Sequence, residues 1–136
     1  MKIESEKAPK PVGAYPHARK VGNLLFLSGV GPRKPNSKKI PGVVIDKVGN
    51  IISHDIEAQC HSVFKNVRII LEEAGSNWNN LVDVTVFLTD MYKDFETYNR
   101  IYAEYFKDNQ PCRTTVEVSS LPTPIAIELK CIAIIE

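Results

Sequence analysis

The sequence predicts an α+β domain in which two helices cover one face of an antiparallel or mixed sheet. Three observations predict it. Residues 55–74 and 94–106 repeat apolar side chains at helical spacing, other segments alternate or are β-branched, and 136 residues suit one domain rather than two. With 43% hydrophobic and 24% charged residues, the chain has a globular balance that argues against disorder.

Residues 1–10, rich in Lys, Glu and Pro, read as a loose arm on a single domain spanning 1–136. Ala18–Val21 and Leu24–Val30 read as strands joined at Gly22-Asn23, a dipeptide suited to a tight hairpin because both residues tolerate positive φ. Gly31–Ile40, rich in Pro, Lys and Asn, is a loop, and 43–45 adds a short strand before a turn at Gly49-Asn50. The first helix runs from about Asp55 to Ala74, with Ile56, Cys60, Val63, Val67, Ile70, Leu71 and Ala74 on one face. Asp55 and Glu57 sit where the helix dipole favours negative charge, and Gly75 is a natural stop.

Leu81–Leu88 alternates, with Val82, Val84, Val86 and Leu88 facing one way. A second helix from about Asp94 to Phe106 aligns Phe95, Tyr98, Ile101, Tyr102 and Tyr105 as a buried stripe, and after Pro111 the β-branched run Thr114–Val118 is a strand. Beyond the Leu121-Pro122 turn, Ile125–Ile135 is the last strand. Its odd positions are all apolar, while Ala126, Glu128, Lys130, Ile132 and Ile134 share the even face. The order is β-β-(β)-α-β-α-β-β. The sheet face away from the helices is exposed or covered by another subunit, and Ile132 and Ile134 favour a subunit.

A net charge of +1 argues against a nucleic-acid partner, and Lys34, Lys38 and Lys39, interrupted by Pro35, Asn36 and Ser37, read as a solvated loop. No run approaches the roughly eighteen apolar residues of a membrane span. The N-terminal MKIESEKAPKP is charged where a signal peptide needs an apolar stretch, so a cytoplasmic protein is expected. Cys60, Cys112 and Cys131 are odd in number and widely spaced, giving neither a disulfide framework nor a zinc site; Cys60 and Cys131 read as core thiols. HExxH, GxSxG, P-loop and GxGxxG patterns are missing, and His17, His54 and His61 lack ligand-like spacing, so no metal is expected.

The informative pair is Arg113 and Glu128. Arg113 stands at the mouth of a strand, where a guanidinium can grip a carboxylate through two parallel hydrogen bonds; position alone also suits a surface arginine. Glu128 interrupts a largely apolar strand, either as a solvated residue or salt-bridge partner of Lys130, or, beneath a covering subunit, as a desolvated acid whose pKa rises into a range useful for handling protons from water.

Together, Gly13-Ala14-Tyr15, Leu27-Ser28-Gly29, the helix from Asp55 to Gly75, Tyr98-Asn99, Cys112-Arg113-Thr114-Thr115-Val116 and Ile127-Glu128 resemble the Rid (YjgF-type, reactive intermediate deaminase) superfamily, from about Ala8 to Ile135. The resemblance implies a chorismate-mutase-like fold, a six-stranded mixed sheet backed by two helices. It also implies a homotrimer whose sheets form a central barrel, with active sites in clefts between subunits. The implied reaction uses no metal or organic cofactor: water attacks the imine carbon of a small enamine or imine acid, and ammonia leaves a 2-oxo acid. At matching positions Arg113 is the carboxylate anchor and Glu128 the water-handling acid/base, with Tyr15, Ser28, Gly29, Asn99, Tyr102 and Thr115 in the pocket. Tyr102 also reads as core, and Ser28 as a turn residue.

Two departures stand out: Thr115 replaces the cysteine that many members carry two residues after the arginine, and the loop 32–49 is long. That loop, Tyr15-Pro16-His17 and Arg113-Thr114-Thr115 resemble the 2-aminomuconate deaminase branch. Its dicarboxylate substrate needs a second cationic contact, for which Arg33 and Lys34 are candidates by charge; His17 could add a hydrogen bond or a proton. Two other functions are weighed: a non-catalytic module that senses small carboxylates, and an endoribonuclease, which near-neutral charge and the lack of RNA-stacking motifs and paired histidines disfavour.

Overall fold

The computed structural model describes residues 1–136. In chain order the elements are β1 (Lys2–Ile3), β2 (Ala18–Val21), β3 (Leu24–Leu27), β4 (Val43–Ile45), β5 (Ile51–His54), α1 (Ile56–Glu73), β6 (Leu81–Leu88), α2 (Met91–Tyr105), β7 (Cys112–Glu117) and β8 (Ile127–Ile134). Six strands make one sheet in the order β1-β2-β3-β8-β6-β7. All neighbours are antiparallel except β6 and β7, which run parallel because the α2 crossover carries the chain back to the end where it started. The sheet is therefore mixed, as expected.

The last strand is central because its odd side chains have two neighbours to pack with. Ile127, Leu129, Cys131 and Ala133 are fully buried under α1, whose Cys60, Val63, Phe64 and Val67 meet them in one core. Burial pushes the thiols of Cys60 and Cys131 up to about 12, so both behave as apolar core groups. Helix α1 starts at its Asp55 cap, whose side chain accepts from the Glu57 and Ala58 amides, and Gly75 follows its end at φ +90°. Helix α2 starts three residues before the expected Asp94, because Asp90 caps it by accepting from the Lys93 amide.

Three expectations need correction. The N-terminal arm is not loose: β1 pairs with β2, Ala8 is buried, and the Ser5 amide and hydroxyl are bonded to His17 and Glu73. Val82 does not share the inward face of β6. A bulge between Leu81 and Asp83 turns Leu81 inward and leaves Val82 exposed. Ile51–His54 forms an unanticipated strand that pairs with β4 as a separate hairpin. The expected hairpin at Gly22-Asn23 does form, with Val21 paired to Leu24 and Gly22 at φ +62°.

Away from the helices, Leu24 faces Ile134 and Phe26 faces Ile132 across β3 and β8. Leu24 and Ile134 are each 37% exposed, so an apolar patch stands open on this face.

Candidate active site

The expected site residues fall into two groups. The first surrounds Glu128, which β8 presents on the open face. A cavity of about 70 Å³ is lined by Glu128, Tyr15, His17, Ser28, Gly29 and Arg33, together with the segment Pro9–Val12. Glu128 is half-buried, and desolvation alone raises its pKa. It joins no ion pair, so of the alternatives the sequence left open the salt bridge with Lys130 is not made; that ammonium instead donates to the Leu27 carbonyl. An acid held this way exchanges protons with water nearer neutrality than an ordinary glutamate does. Gly29 leaves room at its side: a Cβ there would lie 2.8 Å from Glu128 Oε2, so the carboxylate would have to shift.

The neighbours differ in what they offer. The Ser28 hydroxyl donates to the Pro16 carbonyl at 2.7 Å, leaving its oxygen lone pairs as acceptors. Tyr15 is exposed, and its hydroxyl oxygen accepts from the Val12 amide at 3.2 Å. His17 corrects the sequence reading. It is 8% exposed, its Nδ1 accepts from the Ser5 amide at 3.0 Å, and its Nε2–H donates to the Pro9 carbonyl at 2.7 Å. Both ring nitrogens are thus committed to anchoring the N-terminal segment, and neither offers a substrate a hydrogen bond or a proton. Arg33 lines the cavity, but Lys34 is exposed and does not.

The second group surrounds Arg113 on β7, an edge strand. Arg113 lies beside Val84, a buried residue, and so points to the helix-covered side of the sheet. Its guanidinium carbon sits 4.7 Å from the Tyr102 ring centroid and 5.4 Å from that of Tyr98, and its Nη1 donates to Asn99 Oδ1 at 2.8 Å. Burial raises the pKa of both tyrosines, which keeps the rings neutral. The Thr115 hydroxyl lies 2.8 Å from the Tyr98 hydroxyl and so steadies the ring under the arginine. Tyr102 is core and pocket wall at once: it is buried, lines a second pocket with Asn99 and Arg113, and its hydroxyl has no partner. Arg113 remains exposed, with guanidinium N–H groups beyond Nη1 available to a carboxylate.

The two groups do not meet within one chain. Arg113 faces the helices, whereas Glu128 lies beside Phe87 on the open side of β6 and β8. The remaining histidines lie elsewhere, His54 Nε2 at 2.8 Å from Asp94 Oδ2 and His61 Nδ1 at 2.6 Å from the Tyr105 hydroxyl. No three His, Cys, Asp or Glu side chains converge as a metal site, and no helix is long and apolar enough to cross a membrane. The sequence reading missed the Pro9–Val12 wall and the polar residues Gln59 and Asn66 buried in α1. Asn66 was detectable in principle, as an amide between apolar neighbours one turn either side, Val63 and Ile70.

Fold and site together define a Rid-type protein of the chorismate-mutase-like class. A sequence model of the family described as Endoribonuclease L-PSP matches residues 5–135, and the chain belongs to this family, the Rid (YjgF) superfamily. It is 44% identical over 131 residues to a RutC family protein of Pyrococcus abyssi, covering 96% of this chain and 94% of that one. It is 38% identical over 131 residues to Reactive Intermediate Deaminase A, chloroplastic, of Arabidopsis thaliana, covering 96% of this chain and 64% of that one. The solved YjgF gene product of E. coli superposes with a TM-score of 0.84 at 32% identity, over 98% of each chain.

Proposed function

We propose that the protein is a cofactor-free deaminase that hydrolyses enamine and imine acids to 2-oxo acids and ammonia. The observation that carries this reading is Glu128, a half-buried carboxylate without a cation partner on the wall of a small cavity. Kinship with a reactive intermediate deaminase supports it. An enamine first tautomerises to its imine. Water then adds to the imine carbon as Glu128 takes one of its protons and the nitrogen gains one from solvent; Glu128 passes its proton to the amine, the C–N bond breaks, and ammonia departs as the hydroxyl proton is released to solvent and the carbonyl forms. Arg113 holds the substrate carboxylate so that the carbon stays over the water.

Arg113 and Glu128 lie on opposite sides of one sheet, so a complete site takes Arg113 from one copy and Glu128 from another. The open apolar patch of Leu24, Phe26, Ile132 and Ile134 supports such packing, and the reading adopts a homotrimer. 2-Aminomuconate is the best single substrate, with 2-iminopropanoate-type imines as the broader class. A cytoplasmic setting fits three unpaired thiols.

Ammonia release from 2-aminomuconate and 2-iminopropanoate generated in situ tests the reading. Arg113→Ala should lower kcat/KM by about a hundredfold or more, since it removes a bidentate charged contact. No turnover above buffer with either substrate would overturn it. A carboxylate sensor would instead bind a 2-oxo acid without turnover and keep that binding in Glu128→Gln. An endoribonuclease has less support, because each histidine is already engaged by backbone, Asp94 or Tyr105.

A further inference from the structure

The Pro9–Val12 wall of the Glu128 cavity belongs to a segment that backbone pairing does not hold. Between β1 and β2, residues 4–12 make no backbone-to-backbone hydrogen bond, and Pro9 and Pro11 have no N–H to offer. Side chains hold the segment instead. The Tyr15 hydroxyl accepts from the Val12 amide, Arg33 donates to the Lys10 carbonyl, and Asn36 Nδ2 reaches the Glu6 carbonyl at 3.4 Å. His17 is the buried member of this set. It grips the segment twice, Nδ1 accepting from the Ser5 amide at 3.0 Å and Nε2–H donating to the Pro9 carbonyl at 2.7 Å.

These two contacts admit only one protonation state. A neutral imidazole has one donor and one acceptor nitrogen, whereas an imidazolium has two donors. A proton on Nδ1 would meet the Ser5 N–H head on. The Ser5 hydroxyl beside it is already engaged, donating to Glu73 Oε1 and accepting from the Lys7 amide, each at 3.1 Å. The surrounding charges give the ring no dedicated partner. Glu128, Arg33 and Lys10 stand on the cavity side, Lys2, Glu4, Glu6 and Arg19 on the outer side, and Glu73 behind Ser5. Cations and carboxylates balance, and His17 joins no ion pair.

We infer that His17 is a proton-sensitive latch: its neutral ring holds residues 5–12 against the Glu128 cavity, and its protonation releases them. Acidification therefore opens the cavity wall, and a return to higher pH closes it. Opening matters because the closed cavity is small. Its volume of about 70 Å³ suits some two waters at about 30 Å³ each, well below the roughly 300–1,000 Å³ of ligand sites. The latch stands whether or not the deaminase reading does, since it rests on the hold of the segment alone.

Amide exchange of the full chain, followed by NMR from about pH 8 to about pH 5, reads the latch directly, because histidine changes charge in this interval. Relative to intrinsic exchange rates, the Ser5 amide should lose protection about tenfold, as expected for one lost hydrogen bond to a buried group. The loss should share its midpoint with the titration of the His17 ring. In His17→Gln the side-chain oxygen can accept from Ser5 and the nitrogen can donate to Pro9 without titrating. That variant should keep its Ser5 protection throughout. A His17 ring that titrates while Ser5 protection holds constant overturns the inference, as does a ring that stays neutral across the range. Loss of protection that persists on acidifying His17→Gln overturns it too. If the Gln side chain does not span both partners, seen as low Ser5 protection already at about pH 8, the parent titration alone decides.

Discussion

Burial raises the pKa of Glu128 with no cation to oppose it, so its ionised form is a cost to the fold that the neutral acid avoids. The folded pKa lies above the unfolded one, so the associated stability is fully present below the unfolded value and is lost as pH rises through the folded value. Glu128→Gln should therefore be inactive yet melt at or above the parent temperature at pH 7, with the advantage disappearing by about pH 4, near the unfolded glutamate value. A Gln variant that melts lower at pH 7 would show that the carboxylate has a stabilising partner after all. In the parent, kcat/KM should fall as pH drops through the same raised pKa, because the base that accepts the water proton is then occupied. Arg113 is the opposite case. It stands exposed, and its value comes from the aromatic rings beneath it and the Asn99 amide beside it.

Helix α1 shows how one element serves both core and site. Its apolar stripe holds the sheet, while its buried amides hold loops: Gln59 Oε1 accepts from the Ala126 amide at 2.8 Å, and Asn66 secures Gly31 and Arg33. Asn66→Ala leaves two carbonyls without their donor and should cost roughly 1–3 kcal/mol, measured by urea unfolding. A variant as stable as the parent would mean that water replaces the amide without loss. The β4–β5 hairpin is held differently, through His54 against Asp94, a residue only 1% exposed on α2.

At the scale of the whole molecule the two faces of the sheet differ. Its helices seal one sheet face, while the other carries apolar residues in cross-strand register and the Glu128 cavity. The reading that further copies cover this face predicts that Ile134→Glu shifts the protein to a monomer in light-scattering chromatography and abolishes turnover together with assembly. A charge buried in an apolar interface is strongly disfavoured. An active monomer, or a variant still fully assembled, would end that reading.

Periodicity alone was enough to find both long helices, the inward face of β8 and a two-helix, antiparallel-or-mixed-sheet class, because burial on one face imposes a repeat on the residues that make it. The family motifs also pointed to Arg113 and Glu128. Local sequence could not reveal that Leu81 rather than Val82 faces inward, since a bulge is settled by the partner strand. Nor could it reveal that His17 is occupied by Ser5 and Pro9, or that Arg33 rather than Lys34 enters the cavity, because those outcomes depend on hydrogen bonds between segments distant in the chain. The placement of Arg113 and Glu128 on opposite faces likewise followed only from strand order and register, which pair residues that no linear pattern brings together.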